Sequence, residues 1–397
     1  MAFPLLRTAK NLGGDLIESV LLTLRRRTEL RKYRQPSYRK LMEAGTLTKE
    51  EKQEIDRFYL ENYGKKIPYF WHRAYKGYTG KFDLCFFPEY LYIPEFENYM
   101  NSDAAYARIL SDKNMLPIFA GYAGCKMPKE YLICSRGVYQ NGDRREISRE
   151  EAVGILRNCG EVFIKPSVDS DSGQGCLLLT FRDGVCLENQ KTARQVLLSL
   201  KKNFTVQERI VCHEEIRRLY AGSVNTFRVL TYRWKSEVKV GSVIMRLGIG
   251  NAYVDNVHAG GLFIAVDEQG NLGEKAMRPD GESYLAHPDS GTVFQGYRIH
   301  GFGKVTEKAK RMHELVPQIG IIHWDFTLNE QGEPVLIEAN TRGGGIWVFN
   351  AAHGKGPFGD DTEEILRWCR FMRKKAPHKR SEYRFGDTDT DTDTDHE

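Results

Sequence analysis

No run of about 18 apolar residues occurs in this 397-residue chain, which argues against a membrane-spanning helix. No cleavable signal is expected at the amino terminus either, because Lys10, Asp15 and Glu18 interrupt its apolar residues. The eight cysteines (Cys85, Cys125, Cys134, Cys159, Cys176, Cys186, Cys212 and Cys369) are scattered, with no Cys-x-x-Cys pair. That spacing excludes a disulfide framework or a zinc site and suits reduced, mostly buried thiols in the cytoplasm. Gly-x-x-x-x-Gly-Lys-Ser/Thr is missing, so there is no Walker P-loop, and no protein-kinase signature set is present. Nucleic acid is not an expected partner: no helix-turn-helix, zinc finger or RNA-binding aromatic signature appears. Nor is there an internal repeat.

Charge is present but uneven. Residues 387–397 alternate acid with threonine and hold six acids without Lys or Arg, so the net charge of +5 becomes +11 without them. This tail has too little apolar surface to fold and is expected to be disordered. A basic body suits anionic substrates. Residues 1–62 read as helical. Leu5, Ala9, Leu12, Leu16, Val20 and Leu24 form an apolar stripe, followed by the basic run Arg25 to Arg34. The stripe is expected to pack on the body with the basic end in solvent. The alternative is docking of residues 1–40 on an anionic membrane surface or a lipid-linked substrate. Thr48 and Glu51 have the spacing of a capping box. Residues 65–100 are aromatic-rich and read as irregular, with Pro68, Pro88 and Pro94 as breakers.

Two motifs carry chemistry. Ile321–Phe326 and Val335–Asn340 are β-type runs around a turn-forming segment, 329–334. Paired as a hairpin, they bring Asp325 near Glu338 and Asn340, which share a strand face at i and i+2. Hard oxygen donors of this kind suit Mg²⁺ beside phosphates. A carboxylate inside an apolar run is costly unless a cation or donor meets it, which favours a built site over a surface turn. In the second motif, strand Val162–Lys165 enters the Ser/Gly loop 166–175 and is followed by strand Cys176–Leu179. Small residues there let backbone N–H groups approach phosphate while Lys165 adds charge. Arg228 and Arg246 lie within apolar strands, and Arg342 sits between the hairpin and Gly343-Gly344-Gly345. Cations so placed suit charge dispersal on a transferring phosphoryl group. His258 is a further candidate base or phosphate donor, while His287 and His300 read as structural or surface residues.

In order and spacing these elements resemble the ATP-grasp superfamily. Ile164-Lys165-Pro166-Ser167 and Ile337-Glu338-Ala339-Asn340-Thr341 resemble D-alanine–D-alanine ligases. Arg246, Asn256 and Gly260-Gly261 resemble ribosomal-protein glutamate ligases. Trp71-His72, Thr79-Gly80, Asp112-Lys113-Asn114 and 224–229 are most similar to the sugar-transfer-associated group. The resemblance covers about residues 65–370. It implies an α/β (α+β) fold with two α+β subdomains clamping ATP after a helical amino-terminal region. The expected divisions are 1–64 (helical, basic), 65–111 (substrate side), 112–206 (lid), 207–378 (metal and catalysis) and 379–397 (acidic tail).

Residue by residue, the resemblance gives Lys113 and Lys165 the ATP phosphates, with Ser170, Ser172 and Gly173 closing over them. Glu208, Arg209 and Ile210 would face adenine, and Glu215 or its neighbour Glu214 the ribose. Asn256 joins the nucleotide-binding residues. Asp325, Glu338 and Asn340 would hold Mg²⁺, and Arg228, Arg246 and Arg342 would act on the γ-phosphate and an acyl group. The implied activity is a carboxylate–amine ligase working through an acyl phosphate in bacterial surface polysaccharide or glycoconjugate synthesis. The alternatives are a kinase acting on a sugar or polyol hydroxyl and a non-catalytic nucleotide-binding scaffold.

Overall fold

Strand alternation sets the architecture. The computed structural model describes residues 2–167, 175–200, 202–257 and 260–388. Ser170, Ser172, Gly173, His258 and most of the acidic tail therefore lie outside the described residues. The first sheet comprises β1 (Glu130–Ser135), β2 (Val138–Asn141), β3 (Glu146–Ile147), β4 (Glu161–Pro166), β5 (Leu177–Arg182), β6 (Val185–Cys186) and β7 (Phe204–Glu208), in the order β3-β2-β1-β7-β4-β5-β6. Helices Arg149–Asn158 and Ala193–Ser199 cover one face. Each opens on a capping box, Ser148 with Glu151 and Thr192 with Gln195, which satisfies its first amides. Leu132, Val162, Ile164, Val206, Leu156 and Leu197 form the core between them.

The second sheet holds β8 (Thr226–Trp234), β9 (Glu237–Leu247), β10 (Leu262–Val266), β11 (Ala276–Met277), β12 (Ser283–Tyr284), β13 (Ile321–Leu328) and β14 (Pro334–Asn340), in the order β12-β11-β10-β9-β8-β13-β14. It is apolar on both faces. Phe227, Val229, Met245, Ile322, Trp324 and Phe326 pack on helix Phe302–Glu314, and helix Leu116–Tyr122 joins the same core. Leu230, Tyr232, Trp234, Ile244 and Ile321 point the other way, into an aromatic-rich core built by the amino-terminal region and helix Thr362–Met372.

Residues 65–100, expected to be irregular, are largely helical: Phe70–Thr79, Glu89–Leu91, the π-helical Tyr92–Phe96 and Glu97–Met100. Two of the three prolines read as breakers do other work. Pro88 stands at an N-cap, where a missing N–H costs nothing, and Pro94 falls inside a π turn, which accommodates local disruption of the helical ladder. Trp71, Ala74, Tyr75 and Tyr78 then recur at helical spacing on a buried face.

Helix Ala2–Lys32 departs from expectation in a second way. Leu16, Val20 and Leu24 face outward; the side toward the body carries Leu22, Arg26 and Glu29. Leu5, Ala9 and Leu12 are outside the described side chains. The Thr48–Glu51 capping box is present at helix Lys49–Asn62. Among the described residues no helix is long and apolar enough to cross a membrane.

One buried amide ties the amino-terminal region to the second sheet. Asn101 Nδ2 donates to the carbonyls of Ile321 (2.8 Å) and Thr341 (2.6 Å), while its Oδ1 accepts from the amides of Gly320 (2.9 Å) and Ile321 (3.1 Å). It therefore fixes the start of β13 and the end of β14 together. Asn101→Ala leaves these backbone groups without partners and is expected to cost at least about 3 kcal/mol, read as a lower urea midpoint at unchanged m-value. A change below about 1 kcal/mol would mean that the amide is not a structural tie.

Candidate active site

Three neighbouring strands bring the charged row together. In register, Asp325 on β13 stands opposite Arg228 on β8 and opposite Glu338 on β14. Arg228 and Asp325 extend the face that, further along β8 and β13, is covered by aromatic residues. The row begins where that cover ends, so the period-two pattern continues while its chemistry changes from apolar to ionic.

Asp325 is almost fully buried. Its Oδ1 accepts from Arg228 Nε at 2.9 Å; its Oδ2 takes Arg228 Nη2 at 2.9 Å and Arg246 Nη2 at 3.1 Å. Burial opposes the charge, but these guanidiniums overcome it and hold the carboxyl below its ordinary range. Arg246 also donates to Thr226 Oγ1 at 2.7 Å and lies 3.5 Å from Asp255. Asp255 accepts the Thr226 amide at 2.9 Å; its burial raises its pKa against the pull of Arg246. The sequence reading had missed Asp255, although a buried Arg in a strand implies such a counter-charge.

A second cationic pair lies across the cavity. Lys165 is buried, with Nζ 3.5 Å from the Ile337 carbonyl, and Lys113 Nζ is 4.0 Å from Glu338. Burial, then repulsion from Lys113, pushes Lys165 down to about 8. The Lys113 amide donates to Ser167 O at 2.9 Å, which fixes the loop entrance against this lysine.

Both groups open into one cavity of about 490 Å³. Phe163, Leu178, Ile210, Ile337, Ile244, Val257, Trp347 and Gly343–Gly345 are among the residues that line it. Glu208, Arg209 and Asn256 line it as well. Glu208 Oε1 accepts the Lys129 amide, and Arg209 pairs with Glu161 at 2.7 Å. Glu215 is not among the lining residues: His300 holds its carboxylate through the backbone amide (2.8 Å) and Nδ1 (2.6 Å). Glu214 pairs with Arg218 on the surface.

The glycine loop is held from the amino-terminal region. Glu97 accepts the amides of Gly343 (2.8 Å) and Gly344 (2.9 Å), and the Trp347 amide serves Glu89. Burial pushes Glu97 up to about 7 in spite of these donors. Gly344 has no room for a side chain, since a Cβ would stand 2.3 Å from the His323 ring. Arg342 lines the cavity and donates to Asn101 O at 3.2 Å. Desolvation, then repulsion from Arg25, lowers its pKa.

Two donors of the hairpin, Glu338 and Asn340, present oxygen that suits a hard divalent cation. Asn340 turns its Nδ2 toward Asp325 at 3.4 Å, which leaves its amide oxygen for a cation, and Glu338 is one-third exposed to the cavity. Among the described residues no three His, Cys, Asp or Glu cluster as a metal site. A cation here would rely on Glu338, the Asn340 amide oxygen and ligand oxygens, the pattern suited to Mg²⁺ on a phosphate; Asp325, both of whose oxygens are engaged by guanidiniums, would join by giving up part of that pairing.

A family model described as sugar-transfer associated ATP-grasp matches residues 93–364. No curated protein matches the chain. Solved structures similar to it include an L-amino acid ligase from Bacillus licheniformis (13% identity, 66% of this chain and 48% of that one, TM-score 0.37). The VanG D-Ala:D-Ser ligase of Enterococcus faecalis is another (15%, 67% and 62%, TM-score 0.40). A third is N5-carboxyaminoimidazole synthetase from Staphylococcus aureus, complexed with ADP (11%, 62% and 47%, TM-score 0.36). The chain spans about half the length of the first of these.

Lys165 supplies a pH test. Its folded pKa, about 8, lies below the ordinary 10.5, so between these values the unfolded chain binds more protons and stability rises with pH. A phosphate ligand would restore the charge. ADP binding, followed by calorimetry in buffers of different ionisation enthalpy, is expected to take up almost no proton near pH 7 and about one near pH 9. Lys165→Arg should abolish the uptake; equal uptake at both pH values would contradict the assignment.

Proposed function

This chain belongs to the sugar-transfer associated ATP-grasp family, and from that premise we propose that it is an ATP-dependent carboxylate–amine ligase. A substrate carboxylate oxygen attacks the γ-phosphorus, the bond to the ADP oxygen breaks, and an acyl phosphate forms. An amine nitrogen then attacks the acyl carbon, phosphate leaves, and an amide remains. The observation that carries this reading is the convergence of Arg228 and Arg246 on Asp325, in the cavity that Lys113 and Lys165 also line.

In this reading Lys113 and Lys165 hold the nucleotide phosphates, while Glu208, Arg209, Ile210 and Asn256 border the base and ribose. Asp325, Glu338 and Asn340 would hold Mg²⁺, which when bound supplies charge neutralisation between the phosphates. Arg228 and Arg246 are already held beside Asp325 and largely desolvated, so they stand close to where equatorial charge on the transferring group would be dispersed. Arg342 and the Gly343–Gly345 amides border the acyl side. No covalent nucleophile is required, because positioning and electrostatics can carry both steps.

The substrates we assign are a small carboxylate and an amine, one of them sugar-linked, in bacterial surface polysaccharide or glycoconjugate synthesis, with the enzyme on the cytoplasmic side. Val257 and Trp347, which border the cavity, offer apolar surface that suits the carbon face of a sugar ring.

A mass-spectrometric screen of paired carboxylates and amines tests the reaction class. ATP is expected to give ADP only when both partners are present, with a product lighter than their sum by one water. Arg246→Lys keeps the charge but loses the planar fork, and should lower kcat by roughly a hundredfold. A product that gains phosphate on a hydroxyl acceptor alone would establish a kinase and overturn the ligase reading.

A further inference from the structure

Helix Ala2–Lys32 presents an apolar face to solvent. Leu16, Ile17, Val20, Leu21 and Leu24 are each between 50% and 67% exposed. Their spacing places them on one side of the helix, and that side continues into exposed Arg27 and Arg31.

The acidic side chains of this helix are all engaged away from that face. Asp15 takes His378 Nδ1 at 2.7 Å. Glu18 accepts from Arg380 at 2.7 Å and Asn98 at 3.1 Å. Glu29 is buried and pairs with Lys32 at 2.8 Å. Arg26 reaches inward to the buried Glu95. The helix is thus anchored to the body largely by ion pairs, and its outward side carries aliphatic carbon and positive charge with no carboxylate among the described residues.

We propose that this face docks on an anionic membrane surface, with the five aliphatic side chains at the acyl boundary and Arg27 and Arg31 among lipid phosphates. An apolar strip ending in arginines, with every acid turned away, is the charge complement of such a surface. A second copy fits less well. Parallel pairing would set Arg27 and Arg31 against their own copies. The inference rests on the helix and not on the ligase reading.

Sedimentation of the full chain with vesicles tests it. Wild type is expected to pellet with mixed phosphatidylglycerol–phosphatidylcholine vesicles and to remain in solution with phosphatidylcholine alone. The triple variant Ile17→Glu, Val20→Glu, Leu21→Glu should lower the partition coefficient by at least ~10-fold. Unchanged ADP binding would show that its body is intact. The double variant Arg27→Glu, Arg31→Glu should remove the preference for anionic lipid. Failure of wild type to pellet, or equal pelleting by the triple variant, would overturn the proposal. So would a wild-type dimer that the triple variant dissolves, which would assign the face to a second copy.

Discussion

A carboxylate buried between two guanidiniums is the interaction on which the site depends. Asp325 lies at the centre of β13, where an unpaired negative charge would be expelled or neutralised. Arg228 comes from the neighbouring strand in register, and Arg246 from one strand further. Removing a single partner from such a group typically costs about 3–5 kcal/mol, so fold and site are secured by the same contacts. The strand period then places Glu338 and Asn340 on the same face. The charged row and the aromatic core are one continuous surface, divided only by where the amino-terminal region stops covering it.

That region is part of the site rather than an appendage. Glu97 and Glu89 capture backbone amides of the segment from Gly343 to Trp347, and Asn101 joins the ends of β13 and β14. Gly344 lies against His323, whose Nε2 is 2.6 Å from the Tyr92 hydroxyl. The glycine loop is therefore shaped by buried carboxylates and a histidine ring from two parts of the chain, which limits how far it can move without breaking hydrogen bonds.

Local motifs make much of this legible in the sequence. The Asp325–Glu338–Asn340 hairpin, Lys165 ahead of a Ser/Gly loop, and arginines inside apolar strands are signals of a few residues each, and the structure brings them to one cavity. The features that could not be read depend on long-range packing. Glu215 carries no mark showing that His300 will engage it. The apolar stripe of the first helix has the periodicity of a packed helix; that Leu16, Val20 and Leu24 face outward is set by Asp15 and Glu18, which pair on the other side with residues far along the chain. Residues 65–100 read as irregular because their prolines were weighed as breakers, whereas a cap and a π turn absorb two of them.

Calorimetry of ADP binding with and without Mg²⁺ shows whether the hairpin holds a divalent cation against a nucleotide phosphate. In the wild type Mg²⁺ is predicted to tighten ADP by about tenfold or more. In Glu338→Ala it should have little effect, while metal-free ADP binding stays near the wild-type value. An undiminished effect of Mg²⁺ in that variant would contradict the account, because the cation would then be held somewhere other than this row of side chains.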